Sequence, residues 1–405
     1  MRPAGGWLGA FLALAAVTTA CQEKLTAPVV CPELCPGGQA RIFDTVLTPL
    51  PGADTSYTGY VPRHRAGAML VSNGLPAGNA RAVYRFAPRI DSIAVRDTMR
   101  AYAVDSTLLS INLIRRDTLL DGLKLYLYRI NPETADSEAT FASITPQLIP
   151  LTLIDSLTVA DTLNSGLVQT VLRGADVAKV ALPVEGDGVL AIGVAMAAPE
   201  PSGVRLGAAL AQTGASFVSY VTVDVADTGS VRTQTLNSQT AFNTYVLESP
   251  ATPDPDLLTV GGEPSSRALI RFDLPPAIED SADVVRATLE LVPDAPVLGL
   301  RTDPPLLQAR ALFADLGAKS PVVADERFIA SDTISVGSAD TVRLDVTAIV
   351  QLWQAVDERP EAFFLALLPE AASFSRPVFG STRSGTPGPA RLRLTYLKPF
   401  SFETP

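Results

Sequence analysis

The chain has 405 residues, too many for one ordinary core and enough for two domains of moderate size. Hydrophobic residues make up 47% and charged residues 18%, which supplies packed cores and excludes global disorder. With 32 basic against 42 acidic residues the net charge is -10, so the chain lacks the counterion-release drive for nucleic acid and is repelled by anionic membrane surfaces.

The first 20 residues read as a signal peptide. Arg2 is followed by the apolar run Trp7 to Val17, too short to span a bilayer, and then by Thr18, Thr19, Ala20 and Cys21. A cysteine directly after a small residue at the end of such a run resembles the bacterial lipobox, which implies lipidation of Cys21 and a membrane anchor worth about 0.8 kcal/mol per buried methylene. Thr18 departs from the leucine commonest in that box, and cleavage after Ala20 by ordinary processing is the other reading. Gln22 follows the cysteine where Asp would signal inner-membrane retention, so the resemblance implies the outer membrane or cell surface. Residues 21–40, rich in Cys, Pro and Gly, read as a tether. Cys31 and Cys35 then remain as a pair outside the reducing cytosol, and a small disulfide loop is expected. Two cysteines with one histidine in the whole chain are too few for a structural zinc site, and neither metal nor cofactor is expected.

From about 41 to 398 the pattern is short apolar or alternating segments separated by Asp, Gly, Pro, Ser and Thr. Many open with Asp-Thr, as at Asp44, Asp54, Asp97, Asp117, Asp332 and Asp340. Asp closes local turns and Thr starts strands well, so the chain reads as all-β. In Lys124 to Tyr128, Tyr126 and Tyr128 face outward, opposite Leu123, Leu125 and Leu127. Val189 to Ala195 and Phe363 to Leu368 are apolar on both faces and should be central strands. In Arg267 to Leu274 one face carries Ala268, Ile270, Phe272 and Leu274. A single helix is expected over Thr347 to Ala355, with Thr347 as N-cap and Ile349, Val350 and Trp353 on its buried face. In the last strand, Leu392, Leu394 and Tyr396 alternate with Arg391, Arg393 and Thr395.

The chain also repeats itself. Arg81 to Phe86 (RAVYRF) matches Arg267 to Phe272 (RALIRF), and colinear segments flank both copies. Leu70 to Gly74 mirrors Leu258 to Gly262, and Leu123 to Leu127 mirrors Ala287 to Leu291. Ser219 to Val223 closes the first copy as Leu392 to Tyr396 closes the second. Two tandem jelly-roll-like antiparallel β-sandwich domains are therefore expected, over 41–228 and 229–398, with a short tail over 399–405.

The second half resembles the DNRLRE-type domain, a jelly-roll module of bacterial surfaces and secreted enzymes. The resemblance rests on Asn243 to Val246, Leu258 to Gly261, Arg267 to Pro275, Ala287 to Leu291, Leu344 to Trp353 and Ala390 to Tyr396, and covers nearly all of 235–398. The first half lacks the Asp-Val-Thr…Val-Gln…Trp segment of the second and joins the family only through the repeat. The resemblance implies a β-sandwich that binds polysaccharide or serves as a structural module, without catalysis.

Possible chemistry is sparse. His64, in Val61-Pro-Arg-His-Arg65, is the sole imidazole, and no Gly-X-Ser-X-Gly elbow accompanies it. A solvated loop histidine is the simpler reading. Asp254 and Asp256 share a turn that lacks EF-hand spacing, so turn roles are preferred to calcium. For sugar binding, which uses exposed aromatic faces, Tyr126 and Tyr128 are the paired candidates; packing under a loop or between the sandwiches is the alternative. The expected function is a non-enzymatic, lipid-anchored envelope module with a polysaccharide or an envelope protein as partner. A polysaccharide-binding protein, a carbohydrate-active enzyme and an adhesion or assembly component are the alternatives.

Overall fold

Alternation decides the strands, and burial follows it. In Arg391–Leu397 the residues Leu392, Leu394 and Tyr396 are buried while Arg391 and Arg393 face solvent. The two doubly apolar segments become Ala191–Ala197 and Ala362–Leu368, each hydrogen-bonded to a strand on both sides. The computed structural model describes residues 42–398 except 96, 182–187, 226–229, 249–251, 263–264, 317–321 and 357. The signal peptide, Cys21, the tether, the Cys31–Cys35 pair and the 399–405 tail lie outside the described residues. Every described strand pair is antiparallel, and the fold is all-β with two sandwich cores.

The first core, built around Tyr84, Phe86, Leu109, Ile111, Ile192 and Phe217, is enclosed by strands that nearly close on themselves. Closure depends on Ser230–Leu247, which pairs with Ser216–Val225 along its first half and with Ala80–Phe86 along its second. The second core lies between a four-stranded sheet and a five-stranded one. The first is ordered Ile42–Leu47, Arg391–Leu397, Asp283–Leu291, Val342–Asp345. The other is ordered Val323–Thr333, Leu306–Ala314, Ala362–Leu368, Ser266–Arg271, Thr55–Thr58.

These pairings correct the expected boundaries. Residues 42–58 contribute an edge strand to each sheet of the second sandwich, and the strand after position 229 belongs to the first. The first sandwich, about 60–248, is thus inserted into the second, which is built from 42–58 and about 252–398. Register makes the relation explicit. Ala82 lies between Val194 and Tyr245, and its repeat counterpart Ala268 lies between Leu365 and Ser56. Ser56 and Tyr245 therefore occupy equivalent places, each on the other repeat's strand: the opening strands are exchanged reciprocally. The same comparison makes Leu306–Ala314, which flanks Ala362–Leu368, the counterpart of Lys124–Ile130. Asp283–Leu291 lies in the opposite sheet, so the expected match of Leu123–Leu127 with Ala287–Leu291 does not hold.

Particular contacts fix the exchange. The Phe43 ring stacks on Tyr396 at 5.7 Å, and the fully buried Asp54 accepts hydrogen bonds from Thr382 N at 2.7 Å and Thr382 Oγ1 at 2.5 Å. Tyr245, buried in the first core, donates its hydroxyl to Ala371 O of the second sandwich at 2.6 Å. Leu300, Ala371, Ala372 and Phe374 of the second sandwich pack into the first core. An Arg205–Asp303 ion pair of 2.8 Å adds to the seam.

The helix forms over Thr347–Ala355 and buries Ile349, Val350, Leu352 and Trp353, with the Trp353 ring 4.7 Å from Phe363. Thr347 is its first residue rather than its N-cap, a position held by Val346. The Thr347 hydroxyl is engaged elsewhere, donating to Asp345 Oδ1 at 2.6 Å and accepting from Ala287 N at 2.9 Å. The hydroxyl bond, together with the Thr347 N–H that donates to the same oxygen at 3.1 Å, holds the Asp345 carboxyl below the usual carboxylate range.

Candidate functional site

Strict alternation along Lys124–Ile130 buries Leu125 and Leu127 and turns Tyr126 and Tyr128 outward, as expected. Both rings are half-buried; their centroids lie 6.5 Å apart with planes inclined by 30°. The residues opposite them are small or polar on the inner side, Ala195 beside Tyr126 and Gly193 beside Tyr128. On the other side Ser156 lies beside Tyr126 and Leu153 beside Tyr128.

The middle of this sheet face is covered by residues 131–152, a chain of short helical turns. Thr140 and Ser143 form a reciprocal capping box that starts the turn Phe141–Ile144. That turn buries Ile144 against Val83, Ile130, Ala191 and Val246, with Leu148 and Phe141 packed alongside. Gly193 is required for the contact, because a Cβ there would fall 2.7 Å from Leu148 Cδ2. Neither tyrosine belongs to the apolar cluster beneath the segment.

Arg81, half-buried, borders this face. Its guanidinium lies 5.6 Å from the Phe141 ring and donates to Ser72 O at 2.8 Å and Ala80 O at 2.9 Å. Burial lowers the Arg81 pKa, with Glu248 and Tyr128 acting in the opposite direction. Burial likewise raises the Tyr128 hydroxyl, Tyr126 adds to the effect and Arg81 opposes it. Two phenols and a guanidinium thus share one surface, offering stacking faces and hydrogen-bond donors to a polar, C–H-rich ligand. Arg81 was within reach of the alternation argument, which turns Arg81 and Arg85 outward. Its neighbours were not, since they come from Lys124–Ile130 and from the 131–152 segment.

A cleft of about 460 Å³ is bordered by that segment through Glu138 and lined also by Val61, Arg63, His64, Thr244 and Ser265. His64, in the short turn Arg63–Arg65, stacks on Phe242 at 6.0 Å, and Arg85 lies 5.2 Å from the same ring. The imidazole makes no hydrogen bond with a described residue, so the base–carboxylate pair of a Ser-His-Asp triad is not assembled around it. Asp254 Oδ1 accepts from Asp256 N at 2.8 Å, the self-capped turn expected of Asp-rich junctions. Among the described residues no three His, Cys, Asp or Glu side chains gather as a metal-ion site. Trp353 is a core residue rather than a platform. Cys21, Cys31 and Cys35 lie outside the described residues.

No model of a known protein family matches the chain, and no curated protein matches it in sequence.

Proposed function

We propose that this chain is a non-enzymatic binding module of the cell envelope, anchored through a lipidated Cys21, that takes polysaccharide on the Tyr126–Tyr128 face of the first sandwich. The observation carrying this reading is the pair of half-buried rings 6.5 Å apart with Arg81 beside them. Sugars stack their C–H faces on aromatic rings and satisfy their hydroxyls on nearby polar groups, and this surface supplies both. The acidic balance of the chain fits a neutral polymer better than nucleic acid. Kinship with the DNRLRE-type domain belongs to the same proposal. The segments that carry it span both sandwiches, since Asn243 to Val246 sits in the first and the remainder in the second.

Affinity electrophoresis of the mature chain through gels containing a panel of polysaccharides tests the reading. Retardation by one polymer is expected, with stacking worth about 0.5–1.5 kcal/mol per ring, so Tyr126→Ala or Tyr128→Ala should weaken it roughly three- to tenfold. Unretarded migration in every gel, or retardation indifferent to both substitutions, would remove this face from consideration and leave an architectural or protein-binding role.

A further inference from the structure

A separate cleft of about 280 Å³ opens in the second sandwich, beside the strand pair Leu257–Thr259 and Val378–Gly380. Pro253, Leu257, Leu298 and Val378 supply its apolar wall, and Thr252 and Thr259 add hydroxyls to the rest. Three charged side chains share this small apolar space. Arg376 is half-buried, and its backbone N–H is fixed to Leu298 O at 3.2 Å. Its guanidinium makes no hydrogen bond or ion pair with a described residue. Burial lowers its pKa, and among the described residues no carboxylate offsets that effect. Asp254 and Asp294 stand exposed in the same lining, and neither forms an ion pair with Arg376.

Charges of opposite sign in one apolar cleft would ordinarily neutralise each other, because a partly desolvated, unpaired guanidinium is unfavourable. Here they are held apart. A simple anion would meet Arg376 but be opposed by the two aspartates, and a simple cation would meet the reverse. A molecule carrying both charges satisfies all three side chains: a carboxylate forked onto the guanidinium and an ammonium at the aspartates. A hydrocarbon group on the same molecule would lie against Leu257, Leu298 and Val378. The volume falls just below the roughly 300–1,000 Å³ usual for ligand sites, and admits an amino acid or dipeptide rather than a glycan chain.

We propose that the Arg376 cleft binds a small zwitterion with an aliphatic side chain, either a free α-amino acid or a short peptide. This site is independent of the Tyr126–Tyr128 face, and either assignment can fail without the other.

The test is calorimetric titration of the full chain in detergent with L-leucine, leucyl-glycine, N-acetyl-leucine and leucinamide. Saturable binding of leucine or of leucyl-glycine is expected, and whichever binds tighter identifies the source. N-acetyl-leucine lacks the ammonium and leucinamide lacks the carboxylate, so each should bind at least tenfold more weakly, a factor equal to about 1.4 kcal/mol. Arg376→Gln removes no side-chain bond to a described residue and should abolish the preference for leucine over leucinamide; Asp294→Asn should weaken the preference for leucine over N-acetyl-leucine. Absence of leucine and dipeptide binding at about 10 mM, equal binding of the capped compounds, or unchanged binding by Arg376→Gln would each overturn the proposal.

Discussion

Replacing Asp54 by alanine should loosen the second sandwich while sparing the first, although tandem order along the chain would place Asp54 in the first. The side chain is fully buried and accepts from Thr382 N at 2.7 Å, Thr382 Oγ1 at 2.5 Å and Arg383 Nη1 at 3.3 Å. Hydrogen bonds to a charged acceptor are worth about 1.5–3 kcal/mol each, but the losses do not simply add. The Arg383 side chain is 31% exposed and can regain water; the Thr382 amide has less opportunity. A net cost of about 3–5 kcal/mol follows, the range for removing one partner of a buried charged pair. For a sandwich of this size that corresponds to a fall in Tm of roughly 6–20 °C at about 2–4 °C per kcal/mol. Asp54→Asn keeps one acceptor oxygen and should lose about half as much. Hydrogen exchange read by mass spectrometry locates the damage. Faster exchange should appear in 42–58 and in the strands it pairs with, Arg391–Leu397 and Ser266–Arg271. Protection in Ala80–Phe86 and Ser216–Val225 should be unchanged. Loss of protection confined to those first-sandwich strands would refute the inserted arrangement.

Other outcomes follow from the same architecture. A fragment spanning 59–248 should fold cooperatively by circular dichroism, whereas 229–398 should not yield the native second sandwich, because it lacks Ile42–Leu47 and Thr55–Thr58 and carries a strand that belongs elsewhere. Tyr245→Phe removes the bond to Ala371 O and leaves a buried carbonyl short of a donor, so urea unfolding should show a loss of about 1–3 kcal/mol in the transition that separates the sandwiches. Tyr84→Phe, whose hydroxyl bonds Gly207 O within the first sandwich, should destabilise that sandwich alone. The Asp325 carboxyl, held down to about 2 chiefly by the Arg327 hydrogen bonds, gives a pH signature. Its folded pKa is below the unfolded value of about 3.9, so its contribution is present above that value and is lost as pH falls toward 2. The stability gap between the native protein and Asp325→Asn should therefore be widest above about pH 5 and close between about pH 4 and 2; a gap independent of pH would contradict it.

Alternation and doubly apolar runs made the strands legible, and with them the all-β class, the central placement of Ala191–Ala197 and Ala362–Leu368, and the outward turn of Tyr126 and Tyr128. Pairing partners were beyond that information. The strands holding Ser56 and Tyr245 both present an alternating face to a strand of the form Arg-Ala-X-X-Arg-Phe, so either could complete either sandwich. What selects between them is scattered over distant residues: Asp54 against Thr382, Phe43 against Tyr396, Tyr245 against Ala371. Thr347 misled for a related reason. Its hydroxyl has two tertiary and local claims, from Ala287 and Asp345, that no capping rule anticipates. Arg81 and Phe141 meet only because the 131–152 segment folds back over the sheet, which its own Pro- and Thr-rich turns did not announce.

The exchange of opening strands also orders events during synthesis. Ile42–Leu47 leaves the ribosome early, yet its partner is the final described strand; Asp44 and Thr395, joined across that pair, are 351 residues apart. The inserted sandwich has all its strands once residue 247 has emerged and can close on its own, while the segment ahead of it waits with both edges open. From that point until Arg391–Leu397 emerges, a newly made chain carries one finished body and one unsatisfied ribbon, and that ribbon, bearing Ile42 and Val46 exposed even in the finished fold, is where a holding chaperone has most to protect.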